Sequence, residues 1–323
     1  MQALFPEIKP YQETSLTRGL HRVHVELLGN PAGLPLLILH DGPGAAIDPI
    51  QARLVDAERF HVIQFDQRGC GRSLPLAETR ENTLNDLLDD IEAVRAYAKV
   101  ERWMVYGHGW GATLALAYGL KFPERVTGMV LSSLFLGRSQ DIRWAFGDGA
   151  SQFFPDAWKE FMSQAHSHKP EEVLADYSAR LQSANELQQI QAAKQWARWE
   201  VAIQGVHPNQ DLADRLQHPH VAISLAKLSC HYLQNQCFLE QSPLLTRLSA
   251  LSDVSATLVH GRFDVQSPLK GAYEVHSRWS GSQLFIVRDG GHSLRDPAMT
   301  DAVMRALVAM SETVAGDDVP AAE

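Results

Sequence analysis

The reading of the fold turns on Trp103-Met104-Val105-Tyr106-Gly107-His108-Gly109-Trp110-Gly111-Ala112-Thr113-Leu114-Ala115-Leu116-Ala117-Tyr118. Trp103 to Tyr106 reads as a short buried strand, and Ala112 to Phe122 as a helix stopped by Pro123. Between them Gly107, Gly109 and Gly111 alternate with His108 and Trp110. Small residues at this spacing permit a sharp strand-to-helix turn, the setting of the Gly-x-Ser-x-Gly nucleophile elbow. The central residue here is Gly109, which has no side chain to expose. A glycine-rich turn is also compatible with plain structure or with an anion site at a helix amino terminus. Spacing alone leaves these readings open.

The same grammar extends on both sides. Leu34 to His40 and Phe60 to Asp66 are apolar runs ending in polar turns, as buried strands do. Between Thr83 and Ala98, the residues Leu84, Leu87, Leu88, Ile91, Val94 and Ala98 recur at helical spacing. Val126 to Ser132 is the next strand. From about Gly137 to about Leu245 the strand pattern stops, and Glu171 to Leu181 and Ala184 to Ile203 read as helices. Strands resume at Ala256 to His260 and Leu284 to Val287, and a helix from about Pro297 to Ser311 follows. The expectation is an α/β fold with a mainly parallel sheet flanked by helices. Residues 1–136 and 246–314 would form the sheet domain, 137–245 an inserted helical cap, and 315–323 a disordered tail.

Composition narrows the function classes. The 323 residues are 45% apolar and 21% charged, which excludes collagen, a disordered chain and a disulfide scaffold. The net charge of −9 comes without a block of like charges, so a basic nucleic-acid footprint is absent. Cys70, Cys230 and Cys237 form no paired framework, which points to a reduced, cytoplasmic protein. The amino terminus lacks the basic flank and apolar run of a signal peptide, and no stretch is long enough to span a membrane. A monomer or small homo-oligomer is expected, with no nucleic-acid or membrane partner.

Two later motifs bear on the elbow. Val259-His260-Gly261-Arg262-Phe263-Asp264 places an Asp just past a strand, and Asp289-Gly290-Gly291-His292-Ser293 does the same for a His. Elbow, acid, then His is the chain order of the α/β-hydrolase triad. His40-Asp41-Gly42-Pro43-Gly44 follows the first strong strand and could aim backbone N–H groups at an oxyanion, with the N–H of Trp110 as second donor. An ordinary Pro-Gly turn is the plainer reading of that stretch.

On these residues the chain resembles the proline iminopeptidases (prolyl aminopeptidases), serine peptidases of the α/β-hydrolase fold. The resemblance runs from Leu4-Phe5-Pro6-Glu7-Ile8 to the final helix. It includes Phe65-Asp66-Gln67-Arg68-Gly69-Cys70-Gly71-Arg72-Ser73, Phe122-Pro123-Glu124-Arg125-Val126 and Gly149-Ala150-Ser151-Gln152-Phe153-Phe154-Pro155-Asp156. It implies release of an amino-terminal proline by Ser-Asp-His acyl transfer, without a cofactor. Asp264 would be the acid, His292 the general base, and Gly42 and Trp110 the oxyanion hole. Glu200, in Trp196-Ala197-Arg198-Trp199-Glu200, would bind the substrate's free amino group, and Phe135 would wall the proline pocket.

Three departures fall at that site. Gly109 stands where the family has its nucleophilic Ser, Asp41 interrupts the family's His-Gly-Gly-Pro-Gly, and Ser229 replaces a second amine-binding Glu. A hydrogen cannot attack a carbonyl, and the elbow is expected to turn His108 and Trp110 away from the site. A carboxylate of Asp41 near the oxyanion hole would oppose the charge the hole stabilises, whereas one facing solvent would not. Two readings follow. One is an iminopeptidase-type hydrolase. The other is an inactive or non-hydrolytic homologue that binds a small molecule or short peptide with a free amino terminus under the cap, with the His292–Asp264 dyad available for proton transfer. No metal is expected: His166 and His168, like His218 and His220, read as solvated loop residues beside prolines. Cys230 and Cys237, seven apart, read as packing on one helical face, and the cap aromatics Trp144, Trp158, Trp196 and Trp199 as holding the cap together and lining its pocket.

Overall fold

Each apolar run marked above as a strand is a strand in the structure, and two further strands precede them. The computed structural model describes residues 2–165, 169, 172–205, 207, 209–239 and 243–317. The strands are β1 Gln12–Arg18, β2 His21–Gly29, β3 Leu34–Leu39, β4 Phe60–Phe65, β5 Trp103–His108, β6 Val126–Ser132, β7 Ala256–Gly261 and β8 Ser282–Val287. They form one eight-stranded sheet in the order β1-β2-β4-β3-β5-β6-β7-β8. From β4 to β8 every pairing is parallel, and β1–β2 and β2–β4 are antiparallel.

The β1–β2 hairpin was not expected from the sequence. Gln-Glu-Thr-Ser-Leu-Thr-Arg has no buried residue and so carries no apolar signal. A polar edge strand is a stable solution because its charges discourage pairing with another chain.

The helices of the sheet domain are α1 Pro49–Ala52, α2 Leu84–Ala98, α3 Trp110–Lys121, α10 Lys270–His276 and α11 Pro297–Asp317; α4 to α9 lie between β6 and β7. Alternation along β5 sorts them. Trp103 and Val105 join the core that α2 and α3 cover, and Met104 and Tyr106 join the one that α1 and α11 cover. The helix α2 starts where its capping box dictates, with the Thr83 hydroxyl facing the Asp86 N–H and the Asp86 carboxylate accepting from Thr83 N–H. The helix α11 runs past Ser311 to Asp317, so the first residues of the expected tail are helical, and 318–323 lie outside the described residues.

Between β6 and β7 the described residues contain no strand. They form α4 Ser139–Phe146, α5 Pro155–Met162, α6 Val173–Leu181, α7 Glu186–Gln204, α8 Gln210–Gln217 and α9 Pro219–Gln234. The long α7 packs against α5, α6, α8 and α9. Their shared core is aromatic: Phe161 stacks on Tyr177 at 4.4 Å and Phe146 on Trp196 at 4.6 Å between ring centroids. Two details correct the sequence reading. The helix α9 ends at Gln234, and Cys237 sits in a following turn with φ +54°, so Cys230 and Cys237 do not share a helical face. His218 and His220 flank the start of α9 instead of lying in a loop, and His166 and His168 are outside the described residues. Among the described residues no helix is long and apolar enough to cross a membrane.

The register positions the site. Leu39 pairs with Gly107, His108 with Ser132, Ser132 with Val259, and Val259 with Phe285. The carboxyl ends of β3, β5, β6, β7 and β8 therefore form one row, where the loops of a parallel sheet build sites.

Candidate active site

The strand-to-helix turn read from the sequence is present, with Gly109 at its centre. Strand β5 ends at His108 and α3 begins at Trp110, so Gly109 alone turns the chain, at φ +55° and ψ −119°. Its N–H donates to the Ser132 carbonyl at 3.0 Å. A Cβ on Gly111 would strike the carbonyl of Leu39, and one on Gly107 that of Gly111, so close backbone contact fixes both neighbours.

The turn after β3 is held by a polar relay. His40 Nε2 accepts the Gln67 N–H at 3.0 Å, which leaves Nδ1–H to donate to the Asp41 carbonyl at 2.6 Å. Gln67 also donates to the His40 carbonyl at 2.9 Å and accepts from the Trp110 indole N–H at 2.9 Å. The oxyanion turn and the elbow are thus tied through one side chain.

Asp41 points inward. Its Oδ1 accepts the Trp110 backbone N–H at 2.8 Å, and a Cβ built on Gly109 would collide with its carboxylate. It occupies both the donor expected to face an oxyanion and the space of a side chain at 109. Gly42 lies beside it in the cavity wall.

Asp264 follows β7 and His292 follows β8. His292 Nδ1 is 3.0 and 3.1 Å from the two Asp264 carboxylate oxygens, and Asp264 Oδ1 accepts the Ser267 N–H at 2.8 Å. The His292 and Ser293 N–H groups both donate to the carbonyl of Gln204, the last residue of α7, at 3.0 Å. The Ser133 hydroxyl donates to the His292 carbonyl at 3.0 Å. His292 Nε2 faces Asp41 Oδ2 at 3.6 Å.

The electrostatics follow from this packing. Burial lowers the His292 pKa, but Asp264 and Asp41 outweigh it and raise the group to about 10, so the imidazole is protonated at neutral pH. Burial raises Asp41, but hydrogen bonding and charge from His292, with the Trp110 N–H, bring it to about 2. Asp264 is likewise lowered, against burial, by the His292 charge.

His108 corrects an expectation: its ring faces the site. The centroid is 5.0 Å from that of His292, and its Nδ1 contacts the Ser132 hydroxyl at 2.9 Å. Burial and the His292 charge push it down to about 4, so it is neutral. Trp110 is buried against Tyr232, with ring centroids 5.0 Å apart, and still lines the site.

Glu200, Ser229 and Phe135 join Asp41, Gly109, Trp110 and His292 around a tight cavity of about 20 Å³. Glu200 is only 4% exposed and lies one turn before Gln204 on α7. Its carboxylate accepts from Trp196 Nε1 at 3.0 Å and Gln266 Nε2 at 3.2 Å. Burial and the nearby Asp41 charge raise it to about 7. The Ser229 hydroxyl donates to the Pro43 carbonyl at 3.1 Å and braces the oxyanion turn. Phe146, and not the cap tryptophans, supplies the second aromatic wall.

Sequence reasoning did not find the roles of Gln67, Ser133 and Gln204. Each acts through a backbone group of a distant loop, which no local pattern encodes. The string around Gln67 was visible as a motif, and its neighbours are scaffold: Asp66 accepts the Ile47 N–H at 2.8 Å, and Arg68 pairs with buried Asp90 at 2.6 Å.

Comparison with known proteins bears on the family and the fold. The family model of the alpha/beta hydrolase fold matches residues 35–295. The chain is 37% identical to a proline iminopeptidase of Xanthomonas citri over 308 residues, covering 95% of this chain and 98% of that one. It is 36% identical to a proline iminopeptidase of Arabidopsis thaliana, covering 93% and 80% respectively. Among solved structures, the proline iminopeptidase of Mycobacterium smegmatis superposes with a TM-score of 0.65 at 19% identity, over 95% of this chain and all (100%) of that one. The esterase RhEst1 of a Rhodococcus species does so with 0.63 at 17%, over 95% and 99%. The structural likenesses at these identities concern the fold.

Proposed function

The chain belongs to the proline iminopeptidase family of α/β hydrolases, and from that premise we propose that it keeps the family's pocket for an amine-bearing ligand while not performing serine acyl transfer. The observation that carries this reading is the Asp41 carboxylate, hydrogen-bonded to the Trp110 N–H in the space beside Gly109. Acyl transfer needs a nucleophile and a free oxyanion donor, and the carboxylate takes the place of both. Loss of a triad nucleophile costs on the order of 10⁶ in rate, and an anion in the oxyanion hole removes part of what remains.

The ligand is a small molecule or short peptide with a protonated amino group. Glu200 and Asp41 both line the cavity, and Phe135 and Phe146 offer it an apolar wall. Residues 137–245 act as the cap over it. Ser229 contributes no charge, so selection for the amine rests on Glu200. Proton transfer by the dyad is a second reading, favoured by the intact His292–Asp264 contact. With its pKa near 10, His292 would act there as a proton donor. The three cysteines are free and buried, which supports a reducing compartment such as the cytoplasm.

The test combines labelling, turnover and binding. A fluorophosphonate should leave the chain unlabelled, and prolyl-arylamide turnover should not exceed that of a His292→Ala variant. Calorimetry should detect L-prolinamide binding that weakens at least about tenfold in Glu200→Gln, the loss of one charge-assisted hydrogen bond. Stoichiometric labelling, or turnover abolished by His292→Ala, would overturn the proposal.

A further inference from the structure

We infer that Asp41, His108 and His292 form a binding site for one divalent transition-metal ion of the zinc class, in the space opened by Gly109. The inference is independent of the amine-ligand reading. The three side chains come from the loop after β3, the last residue of β5 and the loop after β8, and one ligand atom from each lies within 4.8 Å of the others. Asp41 Oδ2 and His292 Nε2, at 3.6 Å, are already near the ~3.4 Å between neighbouring ligand atoms of a tetrahedral ion with bonds of about 2.1 Å.

Both imidazoles are oriented for this. His108 Nδ1 is engaged by the Ser132 hydroxyl at 2.9 Å, and His292 Nδ1 by Asp264 at 3.0 Å. Each ring is thereby held through one nitrogen, with Nε2 the nitrogen left for a metal. A carboxylate or hydroxyl on the far nitrogen is how metal-binding histidines are fixed in tautomer and direction. His292 Nε2 is buried, in a residue only 1% exposed, and faces Asp41 Oδ2 at 3.6 Å, just beyond hydrogen-bond length. A contact that long is weak, so an ion between the two atoms would satisfy both better. Asp41 is similarly poised: Oδ1 is spent on the Trp110 N–H, while Oδ2 turns to His292.

Chemistry fixes the class of ion. Two imidazole nitrogens and one carboxylate oxygen suit Zn²⁺, Fe²⁺, Co²⁺ or Ni²⁺, whereas Ca²⁺ and Mg²⁺ prefer all-oxygen shells. The neighbouring carboxylates of Asp264 and Glu200 add to the attraction for a dication. Three protein ligands also leave a coordination position open. A serine at 109 would contest this space, since any Cβ there meets the Asp41 carboxylate. The loss of the nucleophile and the gain of Asp41 are together what the metal site requires.

The test uses the full chain, stripped of metal by chelator and titrated with Co²⁺ and then Zn²⁺. One Co²⁺ per chain is expected, with the intense visible bands of a four- or five-coordinate ion, bleached by Zn²⁺. Zn²⁺ should also raise the melting temperature. Asp41→Asn, which keeps the side chain's shape, and His108→Gln should each weaken binding at least about 100-fold and abolish the Zn²⁺ shift. Their metal-free melting curves and circular dichroism separate lost ligation from lost folding. Ser132→Ala, with no ligand removed, should weaken binding about tenfold. A second group, Glu13, His24 and Glu26, serves as the control, and His24→Gln should leave the titration unchanged. The assignment falls if no Co²⁺ binds, if Asp41→Asn and His108→Gln bind it as the parent does, or if His24→Gln removes it.

Discussion

The carboxylate of Asp41 accepts the backbone N–H of Trp110 at 2.8 Å, across the Cα of Gly109. Two departures from the family pattern, sixty-eight positions apart in sequence (109 − 41), are therefore one structural change. The carboxylate enters the elbow only because residue 109 has no Cβ. Once there, it accepts the Trp110 N–H and faces His292 Nε2 at 3.6 Å.

This coupling predicts the outcome of restoring the serine. Gly109→Ser alone should fail to recover prolyl-arylamide hydrolysis, because its Cβ meets the Asp41 carboxylate and φ is +55°. Backbone strain of this kind costs about 1–3 kcal/mol, so the melting temperature should also drop. Asp41→Gly with Gly109→Ser should exceed either single variant by about 100-fold or more in initial rate, since one donor of an oxyanion hole is worth about that factor. Recovery by Gly109→Ser alone would mean that the Asp41 side chain is not seated in the elbow.

The parts of the fold legible in the sequence are those that bury apolar periodicity. Strands β3 to β8 and helix α2 announce themselves through residues such as Leu36, Ile63 and Leu87, all buried. Strand β1 does not, because one face is exposed and the other only half-buried, with Leu16 its single large apolar residue. At the site the split is similar. Asp264 and His292 were legible because each closes a strand, and their 3.0 Å contact follows from β7 lying beside β8. His108 was misread because whether the ring faces into or away from the site depends on Ser132 at the end of the adjacent strand, a partner visible only once β5 and β6 are paired. The direction of the Asp41 side chain depends on space at Gly109, which is likewise a property of two loops and not of one.

Glu200 gives the site a pH dependence. Its carboxyl is raised from 4.5 to about 7, by burial and by Asp41, against the opposing His292 charge and the Trp196 and Gln204 hydrogen bonds. The folded chain thus holds a proton between these values that the unfolded chain has released. Stability from this group is greatest below about 4.5 and declines as pH rises through about 7. Amine binding should run the opposite way, because only the ionised carboxylate pairs with an ammonium. L-Prolinamide affinity measured by calorimetry should fall about tenfold per unit below pH 7 and become flatter in Glu200→Gln. A flat profile in the parent chain would remove Glu200 from the amine site.

The buried pair beneath the oxyanion turn should matter at a distance. Arg68 donates to both Asp90 oxygens, at 2.6 and 2.8 Å, and Arg18 adds a third contact at 2.8 Å. Asp90→Ala takes two charge-assisted bonds from the buried guanidinium, which keeps Asp86 at 3.3 Å and the Glu81 carbonyl, so the loss should stay below the roughly 3–5 kcal/mol of a fully unpaired buried charge. Because Gln67 is the next residue and ties His40 to Trp110, the variant should also loosen the Asp41 turn. Chemical denaturation measures the first effect, and faster amide exchange at Asp41 and Trp110 the second. Protection unchanged at both amides would show that the turn stands without this support.

Packing in the helical insertion reaches the site by a shorter route. Phe161 is fully buried, stacked on Tyr177 at 4.4 Å and edge-on to Trp196 at 5.7 Å. Trp196 in turn gives its indole N–H to Glu200. Phe161→Ala removes a ring that its neighbours cannot replace, at a cost of about 3–5 kcal/mol, and Phe161→Leu should cost less because more of the volume remains. If Trp196 then tilts toward the void, Glu200 loses a donor that stabilises its ionised form, and its titration should move to higher pH. The pH profile of L-prolinamide binding in Phe161→Ala should therefore shift upward relative to the parent, alongside the lower melting temperature. A lower melting temperature with an unshifted profile would confine Phe161 to holding the insertion together.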